Sequence, residues 1–509
     1  MKKSSRSINW KIMLFQLAIF ITMFVFFSQI SPLVPFDADD WLFNGTMRGP
    51  YPLWGAFNPT RVLPEILNPL AGSISAFLVY PFTKDYIFSI TLVDSILVAL
   101  FISLMMYAFF NLLRKRLNYS VNISLATEIL FFLSFFLIFK HINHQSYTGF
   151  LTTDTTCIFF YLIPGLINAI MLMILAQESN FSLAFMDFST SKKGLIVAGL
   201  YFALFSNSQF NIILATFSFT MLVREGLIGK NKVFSLNFIK SVWLHLIILI
   251  MWLITVVFDL FGGRSTSINK NAKLSLQSRI SATFSFFKSL VQATNKAILF
   301  GILLVIVIVF LVLIIKQKSL RGEETLVLLK GSLFSLVLTW IYLMIAYSKS
   351  LPNYAGRVDA MWPVLFFLLF IFSVALAYII NSFYAAKVIA PVTIILGAMI
   401  AFNFSCLPVP SITMNTTPMA AKRIDNYIIN KVVAADRAGK SRVTVKVPLG
   451  NTADNNWPQS YYMQGALSQS LYTHRVTEHR IAVKFVPDRK INRLLNPAVK
   501  EQPFSPLEK

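Results

Sequence analysis

The chain has 509 residues, of which 56% are hydrophobic, and its mean hydropathy is +0.65. This composition excludes a soluble globular protein and indicates a polytopic membrane protein. The net charge is +23, with 45 Lys and Arg against 22 Asp and Glu, and much of the basic charge lies in short loops beside apolar segments, which argues against nucleic acid as a partner. The apolar runs lack strand-like alternation, so helices rather than a barrel are predicted to span the membrane.

Eleven apolar segments are predicted to cross the membrane, since a spanning helix needs about 20 apolar residues. They are 11–30, 85–113, 121–140, 157–176, 194–206, 210–223, 238–261, 297–315, 325–347, 361–380 and 388–406. The first is interpreted as a retained helix, because no small-residue cleavage site follows it. When the helices alternate, the Lys and Arg clusters fall on one side, which the positive-inside rule assigns to the cytoplasm. The N-terminus is therefore predicted to be cytoplasmic.

Residues 1–407 are predicted to form an all-α polytopic membrane domain, with a long and partly helical outer loop at 31–84. A further outer segment, 262–295, is basic and carries apolar residues at helical spacing. Those residues are Leu276, Ile280, Phe284, Phe287 and Val291. The spacing predicts a helix that lies in the outer membrane interface.

Residues 408–509 are predicted to form a small α+β domain outside the membrane. An amphipathic segment at 417–438 ends at Gly439, a helix stop. The segments 442–448 and 480–487 alternate between apolar and polar residues, which predicts strands.

Three carboxylates, Asp37, Asp39 and Asp40, lie directly after the first helix in a chain that is poor in acids. An acidic cluster at a membrane exit is a candidate functional site. A carboxylate can act as a general base, and close like charges push carboxylate pKa values apart. Two alternatives stay open, namely that Asp39 or Asp40 caps the next helix, or that the acids bind a cation for transport.

Candidate ligand-binding residues lie in other outer segments. Arg48, Arg61 and Glu65 share the segment that carries the acids, and Arg357 lies at the outer mouth before the tenth predicted helix. Arginine suits a phosphate because its guanidinium donates two parallel hydrogen bonds. The alternatives are surface salt bridges for the first group and anchoring to lipid headgroups for Arg357.

Two short predicted helices meet at a polar tip that carries Gln209 and Asn211. We interpret the tip as a hairpin opening into a cavity, where these amides can bond ligand hydroxyls; polar contact between helices is the alternative. His141, His144 and Asp154 flank another outer turn, but neither their spacing nor their number predicts a metal site. No metal and no cofactor are expected.

Together these features resemble a GT-C glycosyltransferase, the class that uses polyprenyl-phosphate sugars. Members have many membrane helices and a long first outer loop with an Asp-Asp or Asp-Glu pair near its start, which here is Asp39-Asp40. More narrowly, the pattern is similar to the Gtr-type glucosyltransferases that decorate bacterial O-antigen. The motifs and residues that carry this narrower resemblance are Asp39-Asp40-Trp41, Arg61, Ser208-Gln209-Phe210 and Asn456-Trp457-Pro458.

The resemblance implies inverting transfer of a hexose, glucose by the narrower match, from undecaprenyl phosphate to a cell-surface glycan. The acceptor is expected to be lipid-linked O-antigen or a similar precursor of lipopolysaccharide, on the periplasmic side of the inner membrane. Because the first acid of the pair is usually the base in this class, Asp39 is the expected base and Asp40 supports it. Asp37 is a third acid outside the simple pair.

Two other functions remain open. A flippase or transporter of lipid-linked glycans would favour charged groups deep within helices and repeated halves. Asp94 and Glu128 do lie within predicted spans, but structural hydrogen bonds are expected for them rather than a proton relay. A glycan ligase or polymerase that uses a lipid-pyrophosphate donor would favour several convergent arginines.

Overall fold

The computed structural model describes residues 10–35, 38–45, 60–139, 141–142, 145–146, 148–150, 154–227, 235–261, 275–315, 320–382, 418–448, 461–488 and 490–491. Within them the chain is a helical bundle, and eight helices are long and apolar enough to cross a membrane. The predicted all-helical membrane architecture is thereby confirmed in outline. Asp37, Arg48, His144 and the predicted eleventh span at 388–406 lie outside the described residues.

The helices of the bundle are α1 Trp10–Ile30, α2 Ala38–Gly45, α3 Val62–Thr83, α4 Tyr86–Lys115, α5 Val121–Leu137, α6 Thr155–Leu175, α7 Phe181–Met186, α8 Thr190–Leu204, α9 Ile212–Leu227, α10 Leu236–Phe261, α11 Leu276–Ala293, α12 Lys296–Ile315, α13 Leu320–Lys349 and α14 Trp362–Ser382. An antiparallel hairpin with two residues in each strand, β1 His141–Ile142 and β2 Gln145–Ser146, precedes α6. A 3₁₀ turn, Pro352–Gly356, lies between α13 and α14.

Seven of the eight candidate spans coincide with predicted helices, and the eighth, α3, lies in the segment assigned to the outer loop. The polar or helix-breaking residues Glu65, Asn68 and Pro69 lower the mean hydropathy of α3 to 1.5, the lowest of the eight. The helices on either side of the polar tip, α8 and α9, have 15 and 16 residues and are short, as predicted. A helix, α11, is present where the sequence predicts one in the outer membrane interface.

Hydrogen bonds between distant residues define two ends of the bundle. The Thr91 hydroxyl donates to the Leu33 carbonyl over 2.8 Å, so the chain leaves α1 and enters α4 at the same level. We call this the acidic end, because α2 with its carboxylates lies between these two helices in the sequence. At the opposite, basic end, Arg116 pairs with Glu324 over 2.6 Å, and Arg321 bonds to the Asn118 carbonyl over 3.1 Å.

The described part of the C-terminal region contains α15 Pro418–Arg437, β3 Arg442–Val447, α16 Tyr461–Thr473 and β4 Ala482–Pro487. The two strands pair in parallel, from Arg442 opposite Ala482 to Val447 opposite Pro487, so α16 lies in the crossover between them. The helix α15 ends before Gly439, whose φ of +67° is the left-handed conformation that glycine adopts readily.

The C-terminal region shares one hydrophobic core with the acidic end of the bundle. Ile424 from α15 and Leu467 from α16 are fully buried in the same cluster as Trp41 from α2 and Ile87 from α4. The helix that carries the acid pair is therefore held between the bundle and the C-terminal region.

Candidate functional site

Close backbone approach fixes the short helix α2. A Cβ added to Gly45, its last residue, would lie 2.5 Å from the Cα of Ser470 in α16. A Cβ added to Gly72 of α3 would overlap both oxygens of Asn44 in α2. Only glycine allows contacts this close, so α2 is wedged between α3 and α16. The Ser470 hydroxyl also donates to the Trp41 carbonyl.

The two acids of α2 lie in different environments. Asp39 is exposed, whereas Asp40 is only 1% exposed. One carboxylate oxygen of Asp40 accepts hydrogen bonds from the Thr156 backbone N–H at 2.6 Å and from its hydroxyl at 2.8 Å. These donors lie in the first turn of α6, where the helix dipole favours a negative charge. Asp40 is therefore an anchor, and Asp39 is the acid of the pair that a ligand can reach.

Three further acids lie within electrostatic range of Asp40. They are Asp94 of α4, Asp154 before α6 and Asp425 of α15. Burial raises the pKa of Asp154 and of Asp425, and the nearby charge of Asp40 adds to both effects. Neither carboxylate oxygen of the fully buried Asp425 has a hydrogen-bond partner within the described ranges. Because an unpaired buried carboxylate is costly, these surroundings favour the protonated form of Asp425 over the charged form.

A continuous polar chain links this acidic region to Arg357. Asp154 caps α6 by accepting from the Cys157 N–H at 2.5 Å, and the Cys157 thiol lies 3.2 Å from its other oxygen. The Arg357 guanidinium lies 3.2 Å from the Cys157 sulfur and grips Asp359 through two bonds of 3.0 and 2.6 Å. The structure thus brings the predicted acid pair and Arg357 to the same end of α6.

Aromatic side chains enclose the Arg357 guanidinium. Its central carbon lies 4.8 Å from the ring centre of Tyr354 and 5.4 Å from that of Tyr161, within the range of cation–π contacts. The hydroxyl of Tyr347, whose ring packs on Tyr354, lies 3.5 Å from the side-chain oxygen of Gln209. Two tyrosine rings, those of Tyr347 and Tyr354, therefore connect Gln209 to the Arg357 guanidinium.

The polar tip at 205–211 is fixed by asparagine side chains. Pro164 has no N–H to give to the Phe160 carbonyl one helical turn earlier, and the Asn207 amide donates to that carbonyl over 2.9 Å. Asn211 donates to the Leu204 carbonyl over 2.8 Å and to the Thr255 hydroxyl over 2.9 Å. For Asn211 the structure therefore favours polar contact between helices, which is the alternative given above.

Arg61 and Glu65 lie at the start of α3. The Leu63 N–H donates to the Phe205 carbonyl over 3.0 Å, which joins the start of α3 to the tip. A guanidinium nitrogen of Arg61 lies 3.9 Å from a carboxylate oxygen of Asp259, which is the salt-bridge alternative. Glu65 is only 5% exposed. The tip thus contacts the start of α3 on one hand and, through Gln209, Tyr347 on the other, whose ring packs on Tyr354 beside Arg357.

The sequence alone does not predict all of the acids near Asp40 as site residues. It places Asp154 beside an outer turn and predicts structural hydrogen bonds for Asp94, and Asp425 is not among the predicted site residues. A signal for Asp425 does exist in the sequence, since it follows Ile424 and precedes Ile428 on the apolar face of an amphipathic helix, where all three are fully buried.

Chemically, the site combines an exposed carboxylate, a group of buried acids and a guanidinium at one end of a membrane bundle. A carboxylate can accept a hydroxyl proton, and a guanidinium can bind a phosphate. Within the described ranges, no group of three His, Cys, Asp or Glu residues is arranged to hold a metal ion. Comparison with known protein families, curated proteins and solved structures finds no match to this chain.

Proposed function

We propose that the protein is a membrane glycosyltransferase that moves a hexose from a polyprenyl phosphate to a cell-surface glycan. The observation that supports it most is the convergence of Asp39, Asp40 and Arg357 around the start of α6. Asp39 is exposed, Asp40 is anchored by Thr156, and Arg357 is linked to the same helix through Cys157. Such a site offers a base and a phosphate-binding group to a substrate held at the membrane surface.

In the proposed reaction, Asp39 takes the proton of an acceptor hydroxyl as its oxygen attacks the anomeric carbon of the hexose. The new glycosidic C–O bond forms while the bond from that carbon to the phosphate oxygen breaks, and polyprenyl phosphate leaves with both electrons. Arg357 balances the charge on the leaving phosphate, with Arg61 and Arg48 as further candidates. Asp40 positions Asp39 by fixing α2.

We further propose eleven crossings of an inner membrane, with the N-terminus in the cytoplasm and the C-terminal region, interpreted as a small α+β domain, in the periplasm. The bond between Thr91 and Leu33 supports counting α3 outside the crossings, because the chain enters and leaves this segment at the same level. Asn381, near the end of α14, bonds Arg321 at the basic end, while α15 packs at the acidic end. This separation supports an eleventh crossing.

A second candidate function is transport of a lipid-linked glycan. Glu128 of α5 is fully buried and accepts a 2.6 Å hydrogen bond from Gln16 of α1, within the helical bundle. An ionisable residue at such a position can belong to a transport pathway. We favour glycosyl transfer because Asp94, Asp154 and Asp425 all lie near Asp40 at the acidic end and form the main group of carboxylates in the candidate site.

The test is sugar transfer by the purified full-length protein in lipid nanodiscs. Polyprenyl-phosphate hexose with a radiolabelled sugar is supplied with a glycan acceptor, and label in the glycan is measured. We expect label transfer that needs the polyprenyl phosphate and is lost in Asp39→Asn. A wild-type protein that transfers no hexose from any such donor would overturn the proposal, and movement of lipid-linked glycan across proteoliposomes would then support transport.

A further inference from the structure

A groove of about 850 Å³ lies between α15 and the turn that joins α3 to α4. Lys84 in this turn adopts a left-handed backbone, with φ of 56°, and the next residue, Asp85, caps α4 by accepting from the Phe88 N–H at 2.9 Å. This cap and the turn give the groove a defined wall. None of the site residues predicted from the sequence lines it.

The opposite wall is one face of α15. Asn426, Asn430, Val433 and Arg437 follow each other at intervals of three or four residues, so they lie along the same side of the helix. Asn430 and Arg437 are exposed, and Val433 is half-buried. This wall therefore offers an amide, a guanidinium and an apolar surface in a row.

The lining suits an oligosaccharide. The Asp85 carboxylate, with Lys422 at 3.9 Å and the Asn426 amide at 3.4 Å, can accept hydrogen bonds from hydroxyls. Lys84 and Arg437 also line the groove and can donate hydrogen bonds to hydroxyls. Sugars present hydroxyls at their edges and C–H groups on their faces. Mixed donors and acceptors beside Val433 and the Tyr80 ring match both features.

The groove and the acidic site lie on two sides of the same helix. Asn426 lines the groove, while its neighbour Asp425 is buried within electrostatic range of Asp40. An α-helix is about 10 Å wide, so an oligosaccharide that extends beyond the groove past α15 is long enough to reach α2. We propose that this groove is the binding site for an acceptor oligosaccharide, whose reactive end reaches Asp39. The inference rests on the proposed glycosyl transfer.

The experiment measures oligosaccharide binding by the full-length protein in nanodiscs, without a sugar donor. The probe is an array of neutral and anionic oligosaccharides. Asn430→Leu removes an exposed amide of the groove, and Ala434→Trp fills the groove with an indole. The matched control is Lys431→Leu, which changes the exposed neighbour that does not line the groove.

We expect binding by the wild type, about tenfold weaker binding by Asn430→Leu, which corresponds to ~1.4 kcal/mol, and none by Ala434→Trp. Lys431→Leu should bind as the wild type does. Failure of the wild type to retain any oligosaccharide, or undiminished binding by Ala434→Trp, would overturn the proposal. So would retention of vesicles of anionic phospholipid in place of oligosaccharides, because it would assign the groove to lipid headgroups.

The same variants separate this inference from the proposed function. If the wild type binds an oligosaccharide in a groove-dependent manner but transfers no hexose to it, the groove stands and the glycosyl transfer fails. If the wild type transfers hexose and Ala434→Trp does so with an unchanged acceptor KM, the transfer stands and the groove fails.

Discussion

At the scale of single residues, adjacent acids in α2 have opposite surroundings. Successive residues of a helix point about 100° apart, so Asp40 and Trp41 can turn inward while Asp39 remains exposed. Thr156 then fixes Asp40 through two hydrogen bonds. The sequence predicts an acid pair, but which member is buried depends on α6, a helix that begins more than a hundred residues later.

Asp39→Asn is expected to lower hexose transfer by ~10²–10⁴-fold, because asparagine keeps the size of aspartate but cannot accept the hydroxyl proton. The measurement is the rate of label transfer in nanodiscs, after size-exclusion chromatography has shown that the variant is folded. Asp187→Asn, an exposed acid after α7, is the control and should keep the wild-type rate. Near-normal transfer by Asp39→Asn would reject it as the base.

At the scale of elements, glycine contacts decide how α2 is held. Gly45 and Gly72 let α16 and α3 approach α2 closely, so the acid pair is positioned by packing as well as by hydrogen bonds. Neither contact can be read from the sequence, because each joins residues that are far apart in the chain.

Gly45→Ala is expected to destabilise the protein by ~1–3 kcal/mol, since the new methyl group meets the Ser470 backbone and forces α2 away from α16. Thermal unfolding in detergent measures the effect, and sugar transfer should fall because α2 carries Asp39. The control is Gly465→Ala in α16, where nothing lies within 4 Å of the added Cβ. That substitution should stabilise the helix by ~0.5–1 kcal/mol. Equal stability of the two variants would contradict the wedged position of α2.

The elements also show what periodicity can and cannot predict. Long apolar helices such as α4 and α12 are evident from hydropathy, because a lipid-facing helix needs a continuous apolar surface. Hydropathy does not predict the helix α3, because its polar residues Glu65 and Asn68 are buried against protein, which lets a packed helix keep them. Residue type and position in the sequence predict Asp40 and Arg357 as candidate site residues. Their link through Cys157 cannot be predicted in this way, because it depends on tertiary packing.

At the scale of the whole molecule, the C-terminal region and the bundle meet at a buried histidine. His474, which follows α16, is 3% exposed, and its ring nitrogen bonds the hydroxyl of Tyr86 at the start of α4. Phe77 of α3 contacts the same ring edge-to-face. Burial lowers the pKa of His474 to about 4. The interface therefore requires the neutral imidazole.

The stability of the protein is expected to fall as pH drops from about 6.5 to about 4. In this window the unfolded chain binds a proton at His474 that the folded chain does not, whereas above it the imidazole is neutral in both states. The full effect is on the order of 3 kcal/mol. Thermal unfolding of the wild type and of His474→Phe is compared across this range. The contribution of the titrating carboxylates to the pH dependence of stability is common to both proteins and cancels in the difference. Parallel pH profiles would contradict the role of His474.

The orientation of the whole molecule can be tested at its C-terminus. The C-terminal region packs at the acidic end of α4, while Arg114 and Lys115 lie in the last turn at its other end. The positive-inside rule places that basic turn in the cytoplasm, so α15, α16 and Asp39 should all face the periplasm. A reporter that is active only in the cytoplasm, fused after Lys509, is expected to be silent. The same reporter fused after Arg116 should be active. Strong activity after Lys509 combined with silence after Arg116 would invert the molecule and move Asp39 to the cytoplasmic side, where a periplasmic acceptor could not reach it.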